Sequence, residues 1–181
     1  MIFFMLGELN FVPYQSSWAT RFEALRDMWA PVLPSGAKVE HVGSTSVPGL
    51  AAKNCVDVLV TVPRGHLVPA TTALEEAGLQ YRPGTFADDP DRRFLRLVEN
   101  DSRAAHVHLF SEGHPAIDEM IATRDLLRRD ASWRRRYAQI KEILATRHPA
   151  DRPAYLAGKD AFVKELTAVA VSQPSPSADP S

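Results

Sequence analysis

Between positions 17 and 32 the large apolar residues fall at Trp18, Phe22, Leu25, Trp29 and Val32, the spacing of one face of an α-helix. Ser16 or Ser17 stands where a cap belongs, and Pro34 supplies the stop. The pattern then changes. Residues 39–42 and 56–62 are short β-branched runs bounded by turn formers, and each predicts a strand. The GSTSVPGLAAKN between them has room only for a turn and a short helix. A helix is predicted over 67–77, ending at Gly78 in a left-handed cap, and GTFADDPD over 84–91 is a polar surface loop. Residues 93–99 (RFLRLVE) and 104–110 (AAHVHLF) flank the turn-forming NDSR, which predicts an antiparallel hairpin and makes the sheet mixed.

The last third is helical. Ile117, Met120, Ile121 and Leu127 mark one helix, and Trp133, Tyr137, Ile140 and Leu144 mark the next. Pro153 near a helix start, followed by Tyr155, Phe162, Leu166 and Val169, marks a third. The fold class is therefore α+β: a small mixed β-sheet covered by helices, with a helical C-terminal third.

Composition narrows this picture. The 181 residues are 45% hydrophobic and 24% charged, which suits one globular domain, expected over 1–171. SQPSPSADPS has three prolines and no apolar residue larger than Ala, so 172–181 is expected to be a disordered tail. The opening MIFFML lacks a basic leader and turns polar at Glu8, too soon for a signal peptide or membrane span; a first strand or a poorly ordered start is expected instead. No internal repeat is visible.

A net charge of -1 gives no general attraction to nucleic acid or anionic membrane, so any anion must be met locally. Asp130 interrupts the basic RRDASWRRRY, and nucleic acid is not the expected partner. A lone Cys55 excludes an intramolecular disulfide, suits the cytoplasm and reads as a core residue.

Candidate chemistry gathers in EHVGSTSVPGLAAKNCVDVLVTV, residues 40–62. Gly43 would let the backbone approach a ligand, and the amides around Ser44 and Thr45 could form an anion nest. Asp57, the only charge in its run, could hold a divalent cation bridging to phosphate, with Lys53 adding a positive point charge. The simpler alternative is a tight turn whose Asp57 bonds backbone amides.

Strand alternation places His106 and His108 on one face, where with Asp57 they would make a mixed nitrogen and oxygen site for zinc or manganese; otherwise they bond backbone or water. Glu40 and His41 point to opposite faces, so only one can share a face with Asp57. Arg124, Lys141 and Lys159 could clamp phosphates opposite the turn, or stand as solvated helix charges.

The 40–62 stretch closely resembles the signature of the GrpB-like family, which has the nucleotidyltransferase fold. FVPYQSSWATRF, HVHLF, RDLLR, YAQIKEILA and YLAGKDAFV follow in the family's order, so the resemblance covers roughly Leu9 to Ala170. It implies that Asp57 matches the first acid of an Asp-x-Asp pair on one strand. Leu59 stands at the second acid, and His106 and His108 stand where a neighbouring strand would supply the third.

The function implied is binding of a nucleotide or other phosphorylated small molecule with a divalent cation, Mg or Mn, or Zn through the histidines. Nucleotidyl transfer is the activity that analogy of fold implies. The alternatives are a non-catalytic nucleotide or coenzyme A precursor binding or regulatory module, since such domains occur attached to dephospho-CoA kinase in some bacteria, and a structural metal cluster. Substrate, acceptor and oligomeric state are not set by these residues.

Overall fold

The computed structural model describes residues 11–173; the MIFFML start lies outside them, as does the expected tail apart from Ser172 and Gln173. Helix α1 (Ser17–Trp29) buries Trp18, Phe22, Leu25 and Trp29, the predicted stripe. It stops earlier than the spacing suggests. Val32 is 47% exposed, and Leu33 takes the buried position after the helix end. Ser16 sits at the N-cap with helical angles, φ -60 and ψ -26, and its side chain makes no capping bond.

Strands β1 (Lys38–Val42) and β2 (Val56–Val62) match the β-branched runs, and a 3-10 turn spans Ser44–Ser46. Helix α2 (Leu67–Glu76) ends before Gly78, whose φ is 93. Strand β3 (Gln80–Tyr81) is too short to show an alternation and was not predicted. Strands β4 (Arg92–Glu99) and β5 (Ser102–Ser111) form the hairpin. Its turn is only Asn100 and Asp101, both left-handed at φ 48 and 58, so Ser102 and Arg103 of the expected turn belong to β5. Helices α3 (Pro115–Arg129), α4 (Ala131–Arg147) and α5 (Arg152–Ser172) complete the chain.

The sheet order is β1-β2-β5-β4-β3, with β2 and β5 parallel and the other pairs antiparallel. The parallel pair follows from the crossover through α2, β3 and β4. Val56, Val58, Val60 and Val62 of β2, with Val107 and Leu109 of β5, face one way into a core shared with α1 and α2. The opposite face carries two chemistries. Leu59 and Phe110 pack with Val42 against α3, while Asp57, His106 and His108 line an open cleft.

The cleft's far wall is the helical layer. Val47 and Leu50, just after the 3-10 turn, are fully buried among Leu126, Leu127, Tyr137, Phe162 and Leu166 of α3, α4 and α5. Burying such side chains stabilises by roughly 1.5–3 kcal/mol each. This pins the turn between sheet and helices, and Tyr137 stacks on Phe162 at 5.7 Å to hold α4 on α5.

Candidate functional site

The site starts from a glycine. Gly43 holds φ 68 and ψ -170, a region essentially reserved for glycine, and a Cβ there would lie 2.3 Å from Asp57 Oδ2. The missing side chain is thus the space the carboxylate occupies. Ser46 Oγ donates to Gly43 O at 2.7 Å, and the amides of Ser46 and Val47 close the turn onto Gly43 O and Ser44 O. Ser44 and Thr45 meet the cavity from this turn, and Thr45 Oγ1 lies 3.0 Å from His41 Nε2.

Asp57 is flanked on β5 by His106, its register partner, whose Nδ1 lies 3.2 Å from Asp57 Oδ1. Burial alone would push the Asp57 carboxyl up, but the His106 hydrogen bond and the charges of His106, His108 and Lys159 hold it below the usual carboxylate range. Phe94 sits 5.3 Å from both imidazole rings. Burial pushes His108 down to about 4, and its Nδ1 is buried without a hydrogen-bond partner among the described residues.

Opposite this wall the helices supply cations. Lys141 of α4 is 4% exposed, and its Nζ donates to Ala51 O at 2.5 Å and Ser44 Oγ at 3.2 Å. Burial, then the neighbouring Lys159, pushes it down to about 7, partly offset by Asp57. Lys53 is pushed down to about 8 by burial, Arg152 and Lys159. Lys159 is held above its ordinary value by Tyr137, and also by Asp57, against the opposing effect of burial. Lys53, Lys141, Lys159 and Arg152 line one cavity of about 290 Å³ with Ser44, Thr45, Asp57, His106 and His108. Asp57 is its only acid among the described residues.

The remaining sequence candidates separate. Glu40, not His41, shares the face of Asp57, and Arg124 donates to Glu40 Oε2 at 2.6 Å, Asp125 Oδ1 at 2.7 Å and His41 O at 3.2 Å. Its charge is already matched by two carboxylates. His41 lies on the α1 side, stacked on Phe22 at 4.8 Å, and burial with Arg128 nearby pushes it down to about 4. Cys55 is half-buried at the cavity wall rather than in the core, with its thiol pushed up to about 12 by burial.

The RRDASWRRRY arginines are largely occupied. Arg134 bonds the carbonyls of Leu127 and Arg128, Arg136 pairs with Glu165 over Trp133, and Arg129 donates to Gln173 O. Asp130 caps α4 by accepting from the amides of Ser132 and Trp133.

A two-cation site does not fit these residues. Leu59 is a hydrocarbon side chain, 1% exposed and packed with Val42 and Phe110, so it offers no ligand atom, and one Asp57 oxygen lies 3.2 Å from His106 Nδ1. No three His, Cys, Asp or Glu side chains converge for a metal among the described residues.

Sequence reasoning did not single out Arg92, Arg152, Phe94, Tyr137 or Tyr155 at the site. For Arg92 and Phe94 the signal was present, since strand alternation puts them on the face of His106 and His108. The helical residues carried none.

The family model described as GrpB protein matches residues 8–168. A UPF0157 protein of Pseudomonas aeruginosa, PA4798, is 35% identical over 168 residues, covering 87% of this chain and 66% of its own. The chain spans about half to two thirds of the length of the first curated relatives it matches, 46% and 66%. The crystal structure of the conserved protein GrpB from Enterococcus faecalis superposes with a TM-score of 0.78 at 33% identity, covering 90% of this chain and 97% of that one. The Cid1 poly(U) polymerase bound to MgATP shares the fold, with a TM-score of 0.55 at 15% identity over 81% of this chain and 50% of that one. No helix among the described residues is long and apolar enough to cross a membrane.

Proposed function

The chain belongs to the GrpB family and has the nucleotidyltransferase fold, and from that premise we propose that its small cavity binds the phosphates of a nucleotide or another phosphorylated small molecule. One observation carries the reading. Lys141 is almost wholly buried, its hydrogen bonds go to a hydroxyl and a carbonyl rather than to a carboxylate, and it faces the same cavity as Lys53, Lys159 and Arg152. Burying an ammonium without a counter-charge is costly, and an anionic ligand would offset that cost.

Ser44 and Thr45 would meet the phosphate oxygens from the turn, and Lys141 and Lys159 would neutralise them from the helices. The cytoplasm, where phosphorylated metabolites are plentiful, suits such a ligand. Nucleotidyl transfer by two bridging cations is not part of this reading, because the second and third acids are replaced by Leu59 and the histidines. A single cation held by Asp57 and by the ligand's own oxygens is compatible with the residues present.

The test is calorimetric titration of pyrophosphate and ATP, with and without magnesium, into wild type, Lys141→Met and Asp57→Asn. Binding to wild type and at least a tenfold loss in Lys141→Met are expected. Equal affinity in Lys141→Met, or no binding by wild type, would remove the cavity as a phosphate site. Magnesium-dependent release of pyrophosphate from ATP would instead establish a transferase despite the single carboxylate.

A further inference from the structure

Arg92 heads β4 on the sheet face of Asp57, opposite Phe110 of β5. Its guanidinium carbon lies 3.3 Å from the ring centroid of Phe86 and 5.0 Å from that of Phe110. Its Nε is buried and has no hydrogen-bond partner among the described residues. Contact with an aromatic ring uses the flat face of a guanidinium and leaves the N–H edge for an acceptor. A buried N–H with no acceptor has lost its water without replacement, and the cost is larger for a charged group. The guanidinium therefore holds donors that nothing among the described residues completes.

The residue that holds Arg92 is itself strained. Phe86 has φ 63, a left-handed angle rare for a bulky side chain, and is 40% exposed. Such strain persists only where the surroundings over-determine it, and it concentrates at ligand clamps. Phe86 and Arg92 line a cavity of about 610 Å³ between the sheet, α3 and α5, with Met120, Val163 and Leu166 supplying apolar wall. This cavity shares Ser44, Asp57, His108, Tyr137 and Lys159 with the phosphate cavity, but not Lys141.

We infer that the larger cavity is a second ligand subsite, in which the Arg92 edge takes the oxyanion of a small acid whose apolar body lies along Phe86 and Met120. Nε is sealed, so the acid meets the two Nη groups at the guanidinium's end, whose parallel N–H bonds match a planar pair of oxygens in a carboxylate or a phosphonate. The shared wall would bring that acid beside Asp57 and next to a molecule held in the lysine cavity. The site would then be built for two ligands, or for the two ends of one.

The probes are 4-fluorobenzoate, phenylphosphonate and inorganic pyrophosphate, titrated by NMR into wild type, Arg92→Gln, Arg92→Lys and Lys141→Met. One of the two aromatic acids should bind wild type and Lys141→Met equally, and at least tenfold more weakly to Arg92→Gln. Arg92→Lys keeps the charge but not the fork, and should lose most of that affinity too. Which acid binds tells a carboxylate ligand from a phosphorylated one.

Binding of neither acid to wild type overturns the inference. So does undiminished binding to Arg92→Gln or, should that variant fail to fold, to Arg92→Lys. Pyrophosphate should depend on Lys141 and not on Arg92. Its failure to bind while an aromatic acid binds through Arg92 would count against the phosphate cavity alone.

Discussion

Lys141 and Gly43 each show a residue whose local cost makes sense only through the site. The Lys141 ammonium is held at about 7, well below an ordinary lysine near 10.5. Between those values the unfolded chain binds the extra proton, so the free protein should gain stability as pH rises through that window. Lys141→Met should flatten the rise and increase the melting temperature at pH 6.5, which thermal denaturation across pH would measure. An anion favours the charged lysine, so pyrophosphate affinity should fall above pH 7, by at most about tenfold per pH unit for one linked proton. Lys53, at about 8, adds in the same direction. Because pyrophosphate also ionises between pH 6.5 and 8.5, the comparison is with Lys141→Met, and the same pH profile in both proteins would show that Lys141 does not meet the ligand. Gly43→Ala should destabilise by about 1–3 kcal/mol from backbone strain, with the collision against Asp57 added. Urea denaturation of Gly43→Ala with and without Asp57→Gly separates the two: the added Cβ would also lie 2.8 Å from Asp57 Cβ, so only a glycine at 57 relieves the collision and leaves the strain.

At the scale of elements, the pairing of α4 with α5 decides where the two buried-site lysines point. Gly158 lies inside α5, where glycine is about 1 kcal/mol worse than alanine, yet a Cβ there would come within 2.5 Å of Leu144 Cδ2 on α4. Close approach of the helices explains the glycine, and it brings Lys159, one residue on, to the same cavity as Lys141. Gly158→Ala should therefore destabilise the wild type and weaken pyrophosphate binding. In a Leu144→Ala background the same change should become neutral or stabilising by up to about 1 kcal/mol, and a double-mutant cycle reads the difference. Equal effects in both backgrounds would mean the helices are not limited by this contact.

Across the whole molecule, the sheet supplies the acid and most of the cations come from the helices, so the site exists only when the layers are assembled. Overall charge is -1, while the cavity sets Lys53, Lys141, Lys159 and Arg152 against Asp57 alone. Asp57→Asn should accordingly raise affinity for pyrophosphate in the absence of magnesium, and lower whatever part of the affinity magnesium contributes. Titration with and without the cation distinguishes these, and weaker binding in both conditions would make Asp57 a structural member of the turn. Because a ligand would bridge sheet and helices, it should stabilise the fold as a unit, by about 2.7 kcal/mol at a hundredfold excess over Kd.

Most of the elements were legible in the sequence because burial periodicity is local: β-branched alternation at 56–62 and the Trp18, Phe22, Leu25, Trp29 stripe follow from which faces must leave water. The Gly43 turn and its Asp57 were legible for the same reason, since one stretch of chain carries both. Short or capped features escaped, as with β3 and the two-residue Asn100–Asp101 turn, where too few residues exist to form a pattern. The choice among cations was beyond the sequence. Arg124, Lys141 and Lys159 are similar charges on helices, yet Arg124 is bound to Glu40, 84 positions away, while the two lysines face a cavity. Likewise only the packing of α1 decides that His41 stacks on Phe22 and leaves Glu40 on the side of Asp57. A charge's role is set by its partners, and partners distant in the chain are chosen by the assembly of layers.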